Sequence, residues 1–475
     1  MKISKLLLIL VVLLVVGMTT VASADAFETW LKRVAEPYKD VTIRGISEST
    51  PPSKTVLKEI VPKFEELTGI NVEFEPTSWD AMYTKSVADM VRGSGIYDFV
   101  YVEQDIVYSY LQKNWLTDLT KFKEENAGLT WPDFSFDDFT NFIDNYKGTD
   151  NGHVFGVPFE AFLKVYTYRK DLFNDPEIKK EFKEEYGWEL RPAKTWDEYK
   201  QIAKFFYDYG QENDLDLYGH AAQAKNHPCL GYSLVETYWP AVGIYNWGID
   251  LETMRAANGT LNSDVAKEQL QLFIDLLNYA PPAVRTYTWD GVAAAMASGK
   301  VAQAMIYGEN VGWIGTDSEQ SKVVGKIGVA LPPTKPGVIE EAEAGEGYIG
   351  YYDGGAFAIP YSSKKKEAAW LFLQYVAKKE NALVLAEKGS AVTQKSVLNE
   401  MVGSDLDKQL DGYFTLMAEK GKLFRGAPPF PFHKLLMEGP YLKWISAAVA
   451  GEVSVEEAIE KLTKEVDNNI VKLGY

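Results

Sequence analysis

From Val41 onward, short β-rich runs alternate with stretches of helical periodicity, which restricts the chain to strands joined through helices in a mainly parallel sheet. Residues 41–47 read as a strand, followed by the polar loop Glu48-Ser49-Thr50-Pro51-Pro52. Val56, Ile60, Phe64 and Leu67 then recur at helical spacing up to Gly69, a helix stop, and Pro62 predicts a departure from a straight helix. Residues 70–74 form the next strand, the loop Thr77-Ser78-Trp79-Asp80 leads into a helix, and residues 97–102 form a strand ending in Glu103-Gln104-Asp105. Sheets of this kind take their ligands beyond the carboxyl ends of the strands, where these polar loops lie.

After a stretch crowded with Phe and Asp at residues 133–146, the same alternation resumes. Residues 154–160, which include Pro158, and residues 165–169 read as strands. Thr195 and Glu198 form a capping box, and Val265, Gln269, Leu272, Phe273 and Leu276 share a helix face. Residues 301–307 read as the last strand of this region and end in Gly308-Glu309-Asn310. Residues 332–350, rich in Gly, Pro and Glu, read as a loop; residues 356–360 read as a short strand, followed by an amphipathic helix carrying Ala368, Leu371, Phe372, Tyr375 and Val376. Beyond Gly389 the chain is helical and charged, with a helix start at Ser454-Val455-Glu456-Glu457.

Residues 1–24 carry a basic start (Lys2, Lys5), an apolar run and Ala22-Ser23-Ala24, the pattern of a secretory signal peptide, with a retained membrane anchor as the alternative. The remaining length suits two or three domains. Lys and Arg total 49 against 67 Asp and Glu, a formal charge of −18, which excludes a nucleic-acid partner and disfavours strongly anionic ligands. Removing Lys2 and Lys5 makes the mature chain more acidic still. Cys229 is the sole cysteine, so neither an intrachain disulfide nor a multi-cysteine metal site can form, and the thiol reads as a core residue.

His153, His220, His227 and His433 show no helical pairing and no HExxH, so no metal and no cofactor is expected. Gly345-Glu346-Gly347-Tyr348-Ile349-Gly350 spells GxGxxG, but no strand leads into it and no helix follows, so it reads as a flexible loop. Neither GxSxG nor a Walker A sequence occurs. The informative signal is aromatic residues beside polar ones: Trp79-Asp80, Tyr238-Trp239, Trp247, Trp289-Asp290, Tyr307 with Glu309 and Asn310, Trp313, and Tyr351-Tyr352-Asp353. Sugar rings present an apolar CH face and a rim of hydroxyls, so they need aromatic planes and carboxylate or amide acceptors.

Several segments together resemble the extracellular solute-binding proteins of ABC importers, family 1, which includes maltose-, trehalose- and other sugar- or polyol-binding proteins. They are Phe64-Glu65-Glu66-Leu67-Thr68-Gly69-Ile70-Asn71-Val72, Tyr97-Asp98-Phe99-Val100, Gly156-Val157-Pro158-Phe159, and Tyr168-Arg169-Lys170-Asp171-Leu172-Phe173. To these are added Pro192 through Glu198, Ala295-Met296 with Gly299-Lys300, Gly354 through Pro360 leading into Glu367-Ala368-Ala369-Trp370, and Gly451 with Glu456-Glu457-Ala458.

The resemblance implies a two-lobed α/β fold of the type II periplasmic-binding-protein kind, each lobe a mainly parallel sheet flanked by helices, with a cleft at the hinge. Lobe 1 would hold residues 25–122 and 312–388, and lobe 2 residues 123–311 and 389–475. Glu48, Trp79, Glu103, Asp105, Glu160, Trp239, Tyr307, Glu309, Asn310 and Asp353 are the contact positions this implies. The implied function is capture of a carbohydrate outside the membrane by hinge closure, by a monomer without enzymatic activity, and delivery to ABC permease subunits. Two alternatives stay open: a secreted hydrolase using paired carboxylates, and a binding protein for a cation, either a polyamine or iron held by Tyr351 and Tyr352.

Overall fold

The computed structural model describes residues 26–475, so the expected signal peptide lies outside the described residues. Seven strands form one sheet: β1 (Thr42–Glu48), β2 (Asn71–Thr77), β3 (Phe99–Glu103), β4 (Val157–Arg169), β5 (Gln303–Tyr307), β6 (Ile327–Ala330) and β7 (Tyr352–Ala358). Their order is β2-β1-β3-β7-β4-β5, with β6 also on β4.

The α/β class is as the sequence implies, but strand direction is mixed. β1 is parallel to β2 and β3, whereas β7 is antiparallel to β3, and β4 is antiparallel to β5, β6 and β7. Among the described residues, parallel pairing recurs outside these strand pairs as isolated bridges of Tyr218 to Val301, Ala221 to Ala304 and Tyr351 to Arg425. The consequence is geometric. β1, β2 and β3 bring their carboxyl ends to one edge, and antiparallel β7 brings its amino end, with Asp353, to that same edge.

The two runs read as separate strands at residues 154–160 and 165–169 are one 13-residue strand, β4. It is buried without a break from Val157 to Thr167. Strands covered on both faces lose the alternation that would mark them, and Lys164 in the middle further disguises this one. β4 pairs with β7 through its first half and with β5 and β6 through its second. It therefore joins two apolar cores: Val157, Phe159, Ala161, Leu163 and Val165 pack in one, Tyr166 in the other. β5 does the same by period 2, sending Ala304 and Ile306 one way and Met305 the other.

Local signals act largely as read. The helix Val61–Thr68 ends at Gly69 in the left-handed region, and the irregularity expected around Pro62 is a π-turn at Val56–Ile60. Ser78 caps the helix Trp79–Arg92. Thr195 caps Trp196–Glu212, and the Glu198 carboxylate also accepts from the Lys194 backbone, 2.6 Å, and from Arg191. The expected loop at 332–350 contains the short helix Val338–Ala344, and β6 just before it carried too few residues to be recognised.

Candidate functional site

The shared edge of the sheet opens into a cavity. Its floor is built by β4 and β7. A register shift between Pro158 and Glu160 sets Glu160 opposite Gly355, and Phe162 opposite Asp353; such a bulge re-aims the side chains beside it. Close approach requires glycine here: a Cβ on Gly354, whose φ is +133°, would sit 2.3 Å from the Glu160 carbonyl oxygen, and one on Gly355 would meet the Tyr101 ring at 2.0 Å. Thr50, at the start of the helix after β1, donates to Glu160 Oε2 at 2.7 Å.

One wall carries Trp79 and the end of β3. The Trp79 indole donates to Glu103 Oε2 at 2.8 Å and stacks on Tyr83, ring centroids 6.0 Å apart. The opposite wall comes from residues 227–236, Trp289 and Tyr307. There Lys164 Nζ and the Tyr307 hydroxyl both donate to Glu236 Oε2, at 2.9 and 2.5 Å. His227 packs edge-on between Trp79 and Trp289, at 6.2 and 5.6 Å. Among the described residues, a hydrogen bond crosses from wall to wall: the Tyr232 hydroxyl donates to Asp105 Oδ2 at 2.5 Å. A second groove adjoins the cavity and shares Glu48, Thr50, Trp79, Trp289 and Glu309 with it.

Carboxylates dominate this surface. Glu48, Glu103, Asp105, Glu160, Glu236, Glu309 and Asp353 all line the cavity. Burial, then mutual repulsion, pushes Glu48, Glu103, Glu309 and Asp353 well above the usual carboxylate range. Burial raises Asp105 to about 6 against the opposing hydrogen bond from Tyr232, and Glu160 to about 7 against those from Thr50 and Tyr101. Asp105 Oδ1, Glu160 Oε1 and Glu309 Oε2 are buried and have no hydrogen-bond partner among the described residues. Aromatic rings and unpartnered acceptors equip the cavity to hold a small molecule rich in hydrogen-bond donors.

Of the ten expected contact positions, the cavity gathers Glu48, Trp79, Glu103, Asp105, Glu160, Tyr307, Glu309 and Asp353. Asn310 lies in the adjoining groove, where it donates to Glu309 at 3.2 Å and accepts from Trp313 at 2.8 Å. Trp239 is a correction. It is fully buried in the second apolar core, its indole donating to the Ala266 carbonyl at 3.4 Å. The helical turns at 229–238 present Tyr232 and Glu236 to the cavity and turn Trp239 inward. Trp247 and Tyr351 are likewise core residues, bonded to each other at 2.5 Å. Adjacent Tyr352 donates instead to Thr140 at 3.2 Å, so the two tyrosines do not converge on an ion. Among the described residues no group of three or more His, Cys, Asp or Glu is arranged to hold a metal.

Sequence reasoning missed Thr50, Gln104, Phe162, His227, Tyr232 and Glu236. Only Thr50 and Gln104 had a signal, as neighbours of acidic residues already singled out on strand-end loops.

Residues 47–383 match the family described as bacterial extracellular solute-binding protein. The erythritol/L-threitol-binding protein of Mycolicibacterium smegmatis is 23% identical over 368 residues, 73% of this chain and 68% of that one. The mannitol-binding protein of Pseudomonas aeruginosa is 23% identical over 412 residues, 82% of this chain and 83% of that one. Among solved structures, an ABC transporter solute-binding protein of Agrobacterium radiobacter K84 in complex with ribitol superposes with a TM-score of 0.74 at 23% identity, covering 90% of this chain and 99% of that one. The family match spans the strands that build the cavity, from the end of β1 through β7, and this chain belongs to the bacterial extracellular solute-binding proteins.

Proposed function

We propose that the chain is the substrate-binding component of an ABC importer, capturing a carbohydrate (a sugar, oligosaccharide or polyol) outside the cytoplasmic membrane and passing it intact to permease subunits. The observation that carries this reading is the cavity itself. Trp79 and Trp289 offer apolar planes and the carboxylates offer acceptors, the two halves of what a polyhydroxylated ligand requires. The ligands named for the relatives, erythritol, L-threitol, mannitol and ribitol, are of this kind. No described helix is long and apolar enough to cross a membrane.

The two lobes are proposed as residues 25–122 with 312–388, and 123–311 with 389–475. Two apolar cores joined through β4 and β5 support a division into two bodies. Residues such as Phe142, Tyr146 and Val397 pack on the first core and bear on where its edges fall. Trp79, Glu103 and Asp105 grip from one side, Tyr232, Glu236 and Tyr307 from the other. The ligand favours closure because it touches both, and a ligand that bound open and closed forms equally would shift nothing. The protein acts as a monomer, and no bond is made or broken.

Calorimetry against sugars and polyols, with solution scattering on the same samples and chromatography of the released ligand, tests this reading. Binding with contraction and recovery of unaltered ligand is the expected result. Hydrolysis of the ligand, or binding without any change in radius of gyration, would overturn it.

A further inference from the structure

The cavity gathers far more carboxyl groups than a neutral sugar needs. Among the described residues, Lys164 is the only basic side chain ion-paired with a lining carboxylate, and it is committed to Glu236. Glu48, Glu103, Asp105, Glu160, Glu309 and Asp353 have no ion-pair partner, although Asp105, Glu160 and Glu309 are only 4%, 0% and 7% exposed. Asp353 receives only the backbone N–H of Gly354 at 2.8 Å and a weak contact from Gln104 at 3.4 Å. Among the described residues that line the cavity, Asp105, Glu160 and Glu309 each have one oxygen left buried and unpartnered.

Buried carboxylates are normally matched by a cation or by several donors. Hydroxyl groups can donate to these oxygens but leave the repulsion among the carboxylates in place. A protonated amine supplies both donors and charge, and indole faces such as those of Trp79 and Trp289 attract cations. Lys434, whose ammonium lies 4.7 Å from the Trp79 ring centroid, already exploits that indole.

Resting on the carbohydrate reading above, we infer that the ligand carries at least one protonated amine, as an amino sugar or amino-substituted polyol does, and that Glu160 and Glu309 hold the ammonium group.

Isothermal titration of the protein with matched compounds tests this: glucose, glucosamine and N-acetylglucosamine; cellobiose, the fully deacetylated chitosan disaccharide and its N-acetylated form; and spermidine. The amine-bearing saccharide of at least one set is expected to bind 100-fold or more tightly than its hydroxyl and N-acetyl counterparts. Glu160→Gln and Glu309→Gln should each narrow that preference tenfold or more, with folding of both variants checked by circular dichroism. A hydroxyl or N-acetyl member binding as tightly as its amine counterpart overturns the inference while the carbohydrate reading stands. Tight binding of spermidine with no binding of any saccharide overturns the carbohydrate reading and the inference together. Binding by none of the seven compounds also overturns the inference.

Discussion

Replacing Glu160 by Gln isolates the electrostatic cost built into the cavity. Burial raises this carboxyl from its ordinary 4.5 to about 7 in the folded chain. The folded state therefore keeps the proton over a range in which the unfolded chain has released it. The stability this contributes is fully present below about 4.5 and is lost as pH rises through about 7. The whole interval corresponds to about 3 kcal/mol, at about 1.4 kcal/mol per tenfold change in the proton equilibrium. Gln has nearly the same shape, cannot ionise, and retains an oxygen to accept from Thr50, now at 2.7 Å. Glu48 and Glu309 feel the Glu160 charge, so its removal also eases their ionisation. Urea unfolding of the ligand-free protein between pH 4.5 and 8 should show the wild type losing about 3 kcal/mol relative to the variant. The variant should be the more stable of the two at pH 8. Parallel stability profiles, or a variant that loses ground as pH rises, would refute the claim that Glu160 is held above its ordinary range by burial.

Trp239→Ala should destabilise the fold by about 3 to 5 kcal/mol in thermal or urea unfolding, with ligand affinity unchanged in calorimetry, because the ring fills the second core and does not line the cavity. Lys164→Met strands Glu236 without its cation and should cost about 3 to 5 kcal/mol in unfolding at pH 8, most of it recovered when Glu236→Gln is added. Tyr232→Phe removes the bond that joins the two walls before any ligand arrives. A hydrogen bond to a charged group contributes about 1.5 to 3 kcal/mol, so scattering should find the unliganded variant more expanded than wild type. Burial pushes the Cys229 thiol up to about 12, and it should resist Ellman's reagent at pH 8 until denaturant is added.

The parallel part of the fold was readable because its signals are local. Gly69 stops a helix in the left-handed region, Ser78 caps the next one, and each short apolar run between such marks became a strand. β4 was not readable as one strand, since its continuity depends on neighbours far away in sequence. Lys164 looks like a break until Glu236, 72 residues on, supplies the carboxylate that lets it be buried. Strand direction was hidden for the same reason. Alternating elements favour parallel pairing, but β7 returns from a distant loop and its direction is set by where that return begins.

The site divides along the same line, and the division has a physical basis. Strand ends declare themselves, because a buried apolar run that stops at an acidic or aromatic residue must put that residue at the sheet edge; Glu48, Glu103 and Tyr307 were found that way. Positions on helical turns do not declare themselves, since a rotation of about 100° per residue decides between core and cavity. In the segment around residue 235 the larger aromatic, Trp239, went to the core, where its area is fully used, and the polar Tyr232 and Glu236 took the cavity side. The tryptophans that do face the cavity, Trp79 and Trp289, both stand at the first position of a helix that begins there. A ring at that position borders the helix amino terminus and the loop before it, so it can cover a ligand without being drawn into the core. Aromatic residues at helix starts are therefore stronger pointers to a cleft in such a chain than aromatic residues within helical turns, and carboxylates inside a fully buried strand, as Glu160 is, are stronger still.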